Sequence, residues 1–437
     1  MNIKELTGSG ILKSAYSASD ELGISIFLVG GTIRSLLLSS RIGKDFDFAL
    51  QRNVEEAAKS FAKRVGGSFF CLDERRGHYR VTIKGMTGAT ETDFSMLRGA
   101  EITKDLRERD FTINAMAIDL RDLFQRGEIR IIDPLDGLSD IEKRIIRVCS
   151  SSVFDEDPLR LLRAIRISGA TNFMIEDRTV KLIREKKELL TDCSWERIRD
   201  ELFQILDVPH VSKSIAELDS LGLLNVILPE LSSWKNEDQG EHHDYNLLDH
   251  ALKTVEFTEA ILSNLSDYFL DYASPLKVHF DEVLEGTITR NSLVKLIALL
   301  HDSGKIRTKS YRGQKVHFLG HDRVGEAINE AIAKRLKLSQ KASRIIMKLT
   351  RNHMRILNLS MSTKISRRAK YHFFRDLGID GPDCIILSLA DGLATRRDTT
   401  SEQTTAVLAA ALDLLRYYFE DRHKVPEKPL LNGKEIM

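Results

Sequence analysis

Hydrophobic positions along the chain fall into two spacings, and the change from one to the other divides it. Over residues 25–148, short runs rich in β-branched and aromatic residues recur at 24–30, 45–50, 79–83, 92–94 and 129–132. Their length and composition predict strands, and helical spacing fills the gaps, as over 54–64. From Asp155 onward the strand signal fades. Apolar residues then recur at helical spacing over 158–166, 180–190 and 195–206, and again from about 243 to 419, with loops expected near Ser274 and Ser310. A polar, glycine-containing break at 232–240 separates the two helical stretches. The predicted fold class is α+β: a small mixed-sheet head over 1–148, an all-α neck and body over 149–230, and an all-α domain over 231–437.

Composition narrows the setting without naming a chemistry. A chain of 437 residues is too long for one core, and 42% hydrophobic content supports ordinary globular packing. No apolar run reaches the roughly 18–20 residues of a membrane span, and Met-Asn-Ile-Lys-Glu lacks the apolar core of a signal peptide. Cys71, Cys149, Cys193 and Cys384 stand far apart and read as reduced thiols, so a cytoplasmic protein with no membrane partner is expected. A net charge of +1 neither advertises nor excludes nucleic acid, because phosphate contacts depend on local patches.

Chemistry enters in the head. Leu28-Val29-Gly30-Gly31-Thr32-Ile33-Arg34 reads as an apolar strand running into a Gly-Gly turn that opens a helix. Glycines there let the backbone approach a triphosphate, with helix N–H groups pointing at it. In Asp45-Phe46-Asp47 the strand period puts both carboxylates on one face and Phe46 on the other, toward the core. A third carboxylate, Asp93, follows in Glu91-Thr92-Asp93-Phe94. Converging carboxylates suit two hard cations roughly 3.5–4 Å apart, the arrangement of in-line phosphoryl transfer. A lone Asp-x-Asp is more often an exposed strand edge and a lone Gly-Gly more often a turn. Their order and spacing together favour the metal reading.

Further motifs accompany these: Arg109-Asp110-Phe111-Thr112-Ile113-Asn114-Ala115, Asp133-Pro134-Leu135-Asp136-Gly137, Glu156-Asp157-Pro158-Leu159-Arg160 and Glu196-Arg197-Ile198-Arg199-Asp200-Glu201-Leu202. With Gly30-Gly31-x-x-Arg34 and Asp45-x-Asp47, in this order, they resemble the class II bacterial tRNA nucleotidyltransferases and related poly(A) polymerases over most of the chain. The resemblance implies a polymerase-β-like head that adds CC or CCA to the 3′ end of tRNA from CTP and ATP. It implies Mg2+ on Asp45 and Asp47, and the third converging carboxylate, Asp93, is counted with them as catalytic. Gly30, Gly31, Arg34, Arg109, Asp110 and Asn114 would contact the incoming nucleotide, and Asp157 with Arg160 would read its base. An Asp accepts from the exocyclic amines of C and A while an Arg donates to neighbouring ring acceptors, so one pair can exclude U and G. The bland alternatives are a helix cap at Asp110 and a helical salt bridge from Arg160 to Glu156 and Asp157. Arg163 and Arg166 continue the strip toward RNA phosphates, although such residues are individually more often solvated helix faces. Two departures stand out. Ser35 replaces the Asp usual after Gly-Gly-x-x-Arg, and segment 94–108 is shorter than the flexible loop of CCA-adding relatives, which favours CC addition. The 196–202 stretch is assigned to structure, and the chain stops at 428–437 where many relatives continue.

The last stretch carries His250, His301-Asp302-Ser303-Gly304-Lys305, His321, His353 and Asp391. An adjacent His-Asp pair binds a divalent cation through imidazole and carboxylate, with distant residues closing the sphere. The order resembles the HD phosphohydrolase superfamily, which implies Mg2+ or a divalent transition metal and action on cyclic phosphates or phosphomonoesters. A single His is more often a partly buried polar residue. His242 and His243 fall outside the pattern and read as surface or supporting residues. Three other readings stay open: a poly(A) polymerase, a hydrolase whose head only grips RNA, and a non-catalytic RNA-binding scaffold. Clustered carboxylates argue against the last, being costly when uncompensated.

Overall fold

The computed structural model describes residues 3–39, 45–85, 88–237, 244–313, 315–362, 364–395 and 402–421; His242, His243 and segment 428–437 lie outside them. The chain separates into two compact units, Met1–Arg160 with Thr171–Lys186, and Leu161–Ala170 with Lys187–Met437.

The first unit is built on a seven-stranded mixed sheet. Its strands are β1 (Ile26–Val29), β2 (Phe46–Leu50), β3 (Ser68–Asp73), β4 (His78–Gly85), β5 (Gly88–Met96), β6 (Ala117–Asp119) and β7 (Ile131–Ile132), in the order β3-β4-β5-β2-β1-β6-β7. Only β2 and β5 run parallel; the other neighbours are antiparallel. One face of β2 sends Phe46, Phe48 and Leu50 into a core shared with Ala57, Phe61 and Leu12 from helices Val54–Val65 and Gly10–Asp20. Phe48, Phe61 and Phe94 meet there with ring centroids 5.2 and 5.1 Å apart. Truncating Phe94 to Ala would cost about 3–5 kcal/mol. The opposite face carries a smaller core of Phe27, Val29, Ala49, Leu106 and Ala117, and that face bears the acids. Strands β3 and β6 are absent from the sequence reading for physical reasons. The first is an edge strand with Phe70 and Leu72 exposed, so no buried stripe marks it, and the second is only three residues long.

The second unit is helical around Arg290–Leu300, which is buried along almost its whole length and therefore shows no polar stripe. A capping box of Thr289 and Ser292 starts this helix. Buried Arg290 pairs with Asp380 at 3.0 Å and Asp383 at 3.2 Å, and buried Lys295 donates to the Leu206 carbonyl at 3.0 Å. Helices Leu247–Ser263, His321–Arg335, Gln340–Asn352 and Gly381–Ala394 complete the part that carries the His and Asp residues. Two expected loops are structured instead. Ser274 lies in helix Ala273–Phe280, and Ser310 opens a hairpin of Ser310–Arg312 with Lys315–His317. Among the described residues no helix is long and apolar enough to cross a membrane.

Candidate functional sites

In the first unit a single register row crosses the sheet: Phe70, Arg80, Asp93, Asp47, Val29, Ala117 and Ile132 are successive partners on β3, β4, β5, β2, β1, β6 and β7. Directly paired residues point to one face, so Asp47 and Asp93 stand side by side. Phe46 is buried and Asp47 exposed, as strand alternation requires; Asp45, just before β2, is exposed too. The Asp45 carbonyl accepts from Thr32 Oγ1 at 2.9 Å, tying the acid strand to helix Gly31–Ser39. Asp93 is gripped by Arg80, with Nε to Oδ1 at 2.8 Å and Nη2 to Oδ2 at 2.9 Å, and His78 lies 3.6 Å away. Burial pushes the Asp93 carboxyl up, but His78 and Arg80 outweigh it and hold it below its ordinary value.

Gly30 closes this site from the other side. Its φ is +79°, and a Cβ there would come 2.7 Å from Asp47 Oδ2 and 3.6 Å from Arg109 Nη1. The glycine thus lets an acid and a cation of the site approach one stretch of backbone. Arg109 is fixed by buried Asp105, with Nε to Oδ2 at 3.1 Å and Nη2 to Oδ2 at 3.0 Å. Arg34 donates to Asn114 Oδ1, and Asn114 Nδ2 donates to Asp110 Oδ1 at 3.1 Å, so three predicted residues form one relay. Asp110 Oδ1 also accepts from the Phe111 amide at 2.8 Å. Asp133 takes the Gly137 and Leu138 amides at 2.8 and 2.9 Å and so starts helix Gly137–Lys143, a structural task.

The stretch from Glu156 to Arg160 corrects the sequence reading, which put all three charges on one helix. Helix Val153–Glu156 ends at Asp157, whose backbone is extended (φ −151°, ψ 99°), and a new helix starts at Arg160. Pro158 explains the break, because it disfavours helical backbone at the residue before it. Arg160 Nη1 still reaches Glu156 Oε2 at 3.2 Å and the Val153 carbonyl at 3.2 Å, and Nη2 reaches the Glu108 carbonyl at 3.4 Å. Asp157 Oδ1 accepts from the Leu159 amide at 3.3 Å. Arg163 and Arg166 belong to the second unit, where Arg166 Nε donates to buried Glu201 at 2.5 Å.

The second unit gathers His250, His301, Asp302, His321, His353 and Asp391. His250 Nε2 is 3.0 Å from Asp391 and 3.5 Å from Asp302 Oδ2; His301 Nε2 is 3.1 Å from Asp302 Oδ2 and 3.5 Å from Asp391. On the other oxygen, Asp302 Oδ1 is 3.4 Å from His321 Nε2 and 3.7 Å from His353 Nε2. Each imidazole uses its Nδ1 on a backbone carbonyl: Ala394 at 3.3 Å, Ala298 at 2.8 Å, Phe318 at 2.8 Å and Thr350 at 2.7 Å. This fixes every ring with Nε2 inward, as metal-ligating histidines require. Gly304 permits the assembly, since a Cβ there would collide with the His321 carbonyl and the Gly325 amide.

The donor set fits a cation. His301 is fully buried with its Nε2 facing the Asp302 and Asp391 carboxylates, and the groups His250, His301, Asp391 and His301, Asp302, His353 each converge within 4.8 Å. Burial alone would strip His301 of its proton. Asp302 and Asp391 outweigh burial and raise it to about 10, so the two carboxylates favour positive charge at this position. Burial likewise opposes ionisation of Asp302 and Asp391, but His301, joined by Lys305 and His353 at Asp302 and by His250 at Asp391, outweighs it and keeps both well below the carboxylate range.

Residues 26–147 match the Poly A polymerase head domain, 172–235 the probable RNA and SrmB-binding site of polymerase A, and 247–396 the HD domain. The A-adding tRNA nucleotidyltransferase of Deinococcus radiodurans is 33% identical over 417 residues, covering 94% of this chain and 86% of that protein. The chain belongs to the tRNA nucleotidyltransferase family. The CC-adding tRNA nucleotidyltransferase of Thermus thermophilus is 30% identical, over 94% of this chain and 84% of its own length. A solved tRNA nucleotidyltransferase, complexed with a primer tRNA and an incoming ATP analog, shares the fold with a TM-score of 0.62. That match covers 94% of this chain and 100% of the other at 20% identity. The sequence reading missed Arg80, His78 and Asp105. Period-two alternation along 78–82 marks the first two as sharing a face; nothing local marks Asp105.

Proposed function

We propose that the head adds nucleotides to the 3′ end of tRNA by two-metal phosphoryl transfer, and that its product is CC. The observation that carries the transfer reading is the close set formed by Asp47, Gly30 and Arg109, with Asp93 beside Asp47 in register. Asp45 and Asp47 would hold Mg2+, which supplies nucleophile activation and neutralises charge on the triphosphate. Arg109, fixed by Asp105, would bind phosphate. Arg34, Asn114 and Asp110 would hold the sugar. Arg160, anchored by carbonyls of residues 108 and 153, and Asp157 would select C and A by their amino groups. Asp93 would keep Arg80 beside the metal carboxylates, where the guanidinium tempers their mutual repulsion. The working division is a head over 1–148, a body over 149–230 and an HD part over 231–437, with Arg163 and Arg166 extending toward RNA.

CC addition rests on the short connection after β5, where helix Ile102–Arg107 begins six residues beyond Met96 and leaves no room for a long loop. The relative of Deinococcus radiodurans favours a second reading, addition of A alone. Purified protein given tRNA ending before CCA, after C and after CC, with each labelled NTP, separates them. CTP incorporation stopping at CC supports the first product. ATP incorporation after CC sinks it while leaving the transferase reading standing.

The HD site would bind a divalent metal through His250, His301, Asp302, His321, His353 and Asp391 and hydrolyse phosphate esters. Its support is the inward orientation of all four imidazoles by backbone carbonyls.

A further inference from the structure

The segment between two HD-site residues, Asp302 and His321, carries a one-sided charge pattern that ion pairs account for only in part: Lys305 pairs with Asp302 at 2.6 Å and Lys309 with Glu237 at 2.5 Å. Residues 303–321 contain five Lys or Arg, namely Lys305, Arg307, Lys309, Arg312 and Lys315, and no Asp or Glu. Its middle is the hairpin Ser310–Arg312/Lys315–His317, in which Arg312 pairs with Lys315 and Ser310 with His317. Cross-strand partners share a face, so two cations stand directly opposite each other, an arrangement that costs stability in isolation. Among the described residues neither makes an ion pair with a carboxylate, and both are exposed. The other face carries Tyr311, 66% exposed, with Lys309 Nζ 5.7 Å from its ring centroid.

Both feet of the hairpin stand on the HD site. At the first, Lys305 Nζ lies 2.6 Å from Asp302 Oδ2 and 5.5 Å from the Phe318 ring centroid. At the second, the Phe318 carbonyl orients His321 through Nδ1 at 2.8 Å. The Ser310–His317 pair comes next, and the Arg312–Lys315 pair lies roughly 7 Å further along the strands. Cations set at intervals away from a site that processes phosphate esters match a polyanion, not a single phosphate. An exposed aromatic behind them is what stacking of unpaired bases uses.

Resting on the hydrolase reading above, we propose that this hairpin is a grip for single-stranded RNA, so that the HD site acts on the phosphorylated 3′ end of a strand in preference to a free mononucleotide. In that reaction water adds to phosphorus and the P–O3′ bond breaks. The water proton ends on O3′, leaving an RNA 3′-hydroxyl and inorganic phosphate. Arg312 and Lys315 hold upstream phosphates and take no part in bond making.

The test uses the metal-loaded full chain, wild type and R312Q/K315Q, with a short unstructured RNA bearing a 3′-phosphate and the corresponding mononucleotide 3′-phosphate. RNA is expected to protect Lys315 from an amine-acylating reagent, whereas the mononucleotide is not. In the double variant kcat/KM for the RNA is expected to fall about tenfold or more, with the mononucleotide changed less than about twofold. The slope of log affinity against log salt should flatten by about 1.4 for two lost single-strand phosphate contacts. Metal content and melting temperature of the variant report intact folding. No protection of Lys315 by RNA, or an equal loss on both substrates, overturns the proposal. If wild type hydrolyses neither substrate the hydrolase reading fails, and Lys315 protection still decides whether the hairpin binds RNA.

Discussion

The two candidate metal sites are built in opposite ways. In the head, Asp45 and Asp47 are exposed at one end of a strand, and the groups around them are held by side chains such as Asp105 and Arg80. In the HD part, His250, His301, Asp302 and His353 are at most 2% exposed, and every imidazole is oriented by main-chain carbonyl. An open carboxylate pair can exchange hydrated Mg2+ that arrives with a triphosphate. A buried set of imidazoles and carboxylates, whose desolvation must be offset by a cation, suits an ion that stays. The contrast predicts separable metal dependence for the transfer activity and for the proposed hydrolysis.

Asp302→Ala should break that contrast most severely. Desalted wild-type protein is expected to retain divalent metal, measured by inductively coupled plasma mass spectrometry, and the variant to lose it. Phosphohydrolase activity should fall roughly 10³-fold, with CTP incorporation within about twofold. Loss of incorporation to the same extent would mean that the sites are not independent. Gly30→Ala comes next. It places a side chain against Asp47 at φ +79°, and should lower incorporation by about 10- to 100-fold, combining backbone strain with displacement of the acid. Hydrolysis should not change.

Arg80→Met should have a smaller effect, about tenfold on incorporation, comparable to removal of a supporting partner at a metal site. Asp93→Asn combined with Arg80→Met should cost little more than Arg80→Met alone if the pair acts as a unit. Independent, multiplying losses would instead give Asp93 a direct role. The smallest effect belongs to Glu282, which Arg290 and Lys341 hold at about 2 against an ordinary 4.5. A depressed carboxyl stabilises the fold above its unfolded value and loses that contribution as pH falls. The melting difference between wild type and Glu282→Gln should therefore be full above pH 4.5 and shrink as pH falls toward about 2.

Much of this was legible because the chemistry lay in short contiguous motifs. Asp45-Phe46-Asp47 gave its faces away through strand period, and His301-Asp302 with its distant partners gave the HD site. What stayed hidden depends on register and backbone. Arg80 meets Asp93 because β4 and β5 pair in one alignment, which local pattern leaves open. The roles of imidazole Nδ1 atoms depend on backbone carbonyls, three of them just three residues back in the chain. The break at Asp157 was readable from Pro158, and the helical spacing rule was carried across a residue that forbids it. Segment 310–317 looked like a loop because alternating polar residues in two three-residue strands carry no hydrophobic period.

The most direct measurement is incorporation of labelled CTP into tRNA lacking CCA by Asp45→Ala/Asp47→Ala, beside wild type and Asp302→Ala. The account predicts that the head variant loses incorporation while retaining HD-bound metal, and that Asp302→Ala does the reverse. Incorporation surviving without both head carboxylates would contradict the transfer mechanism proposed here.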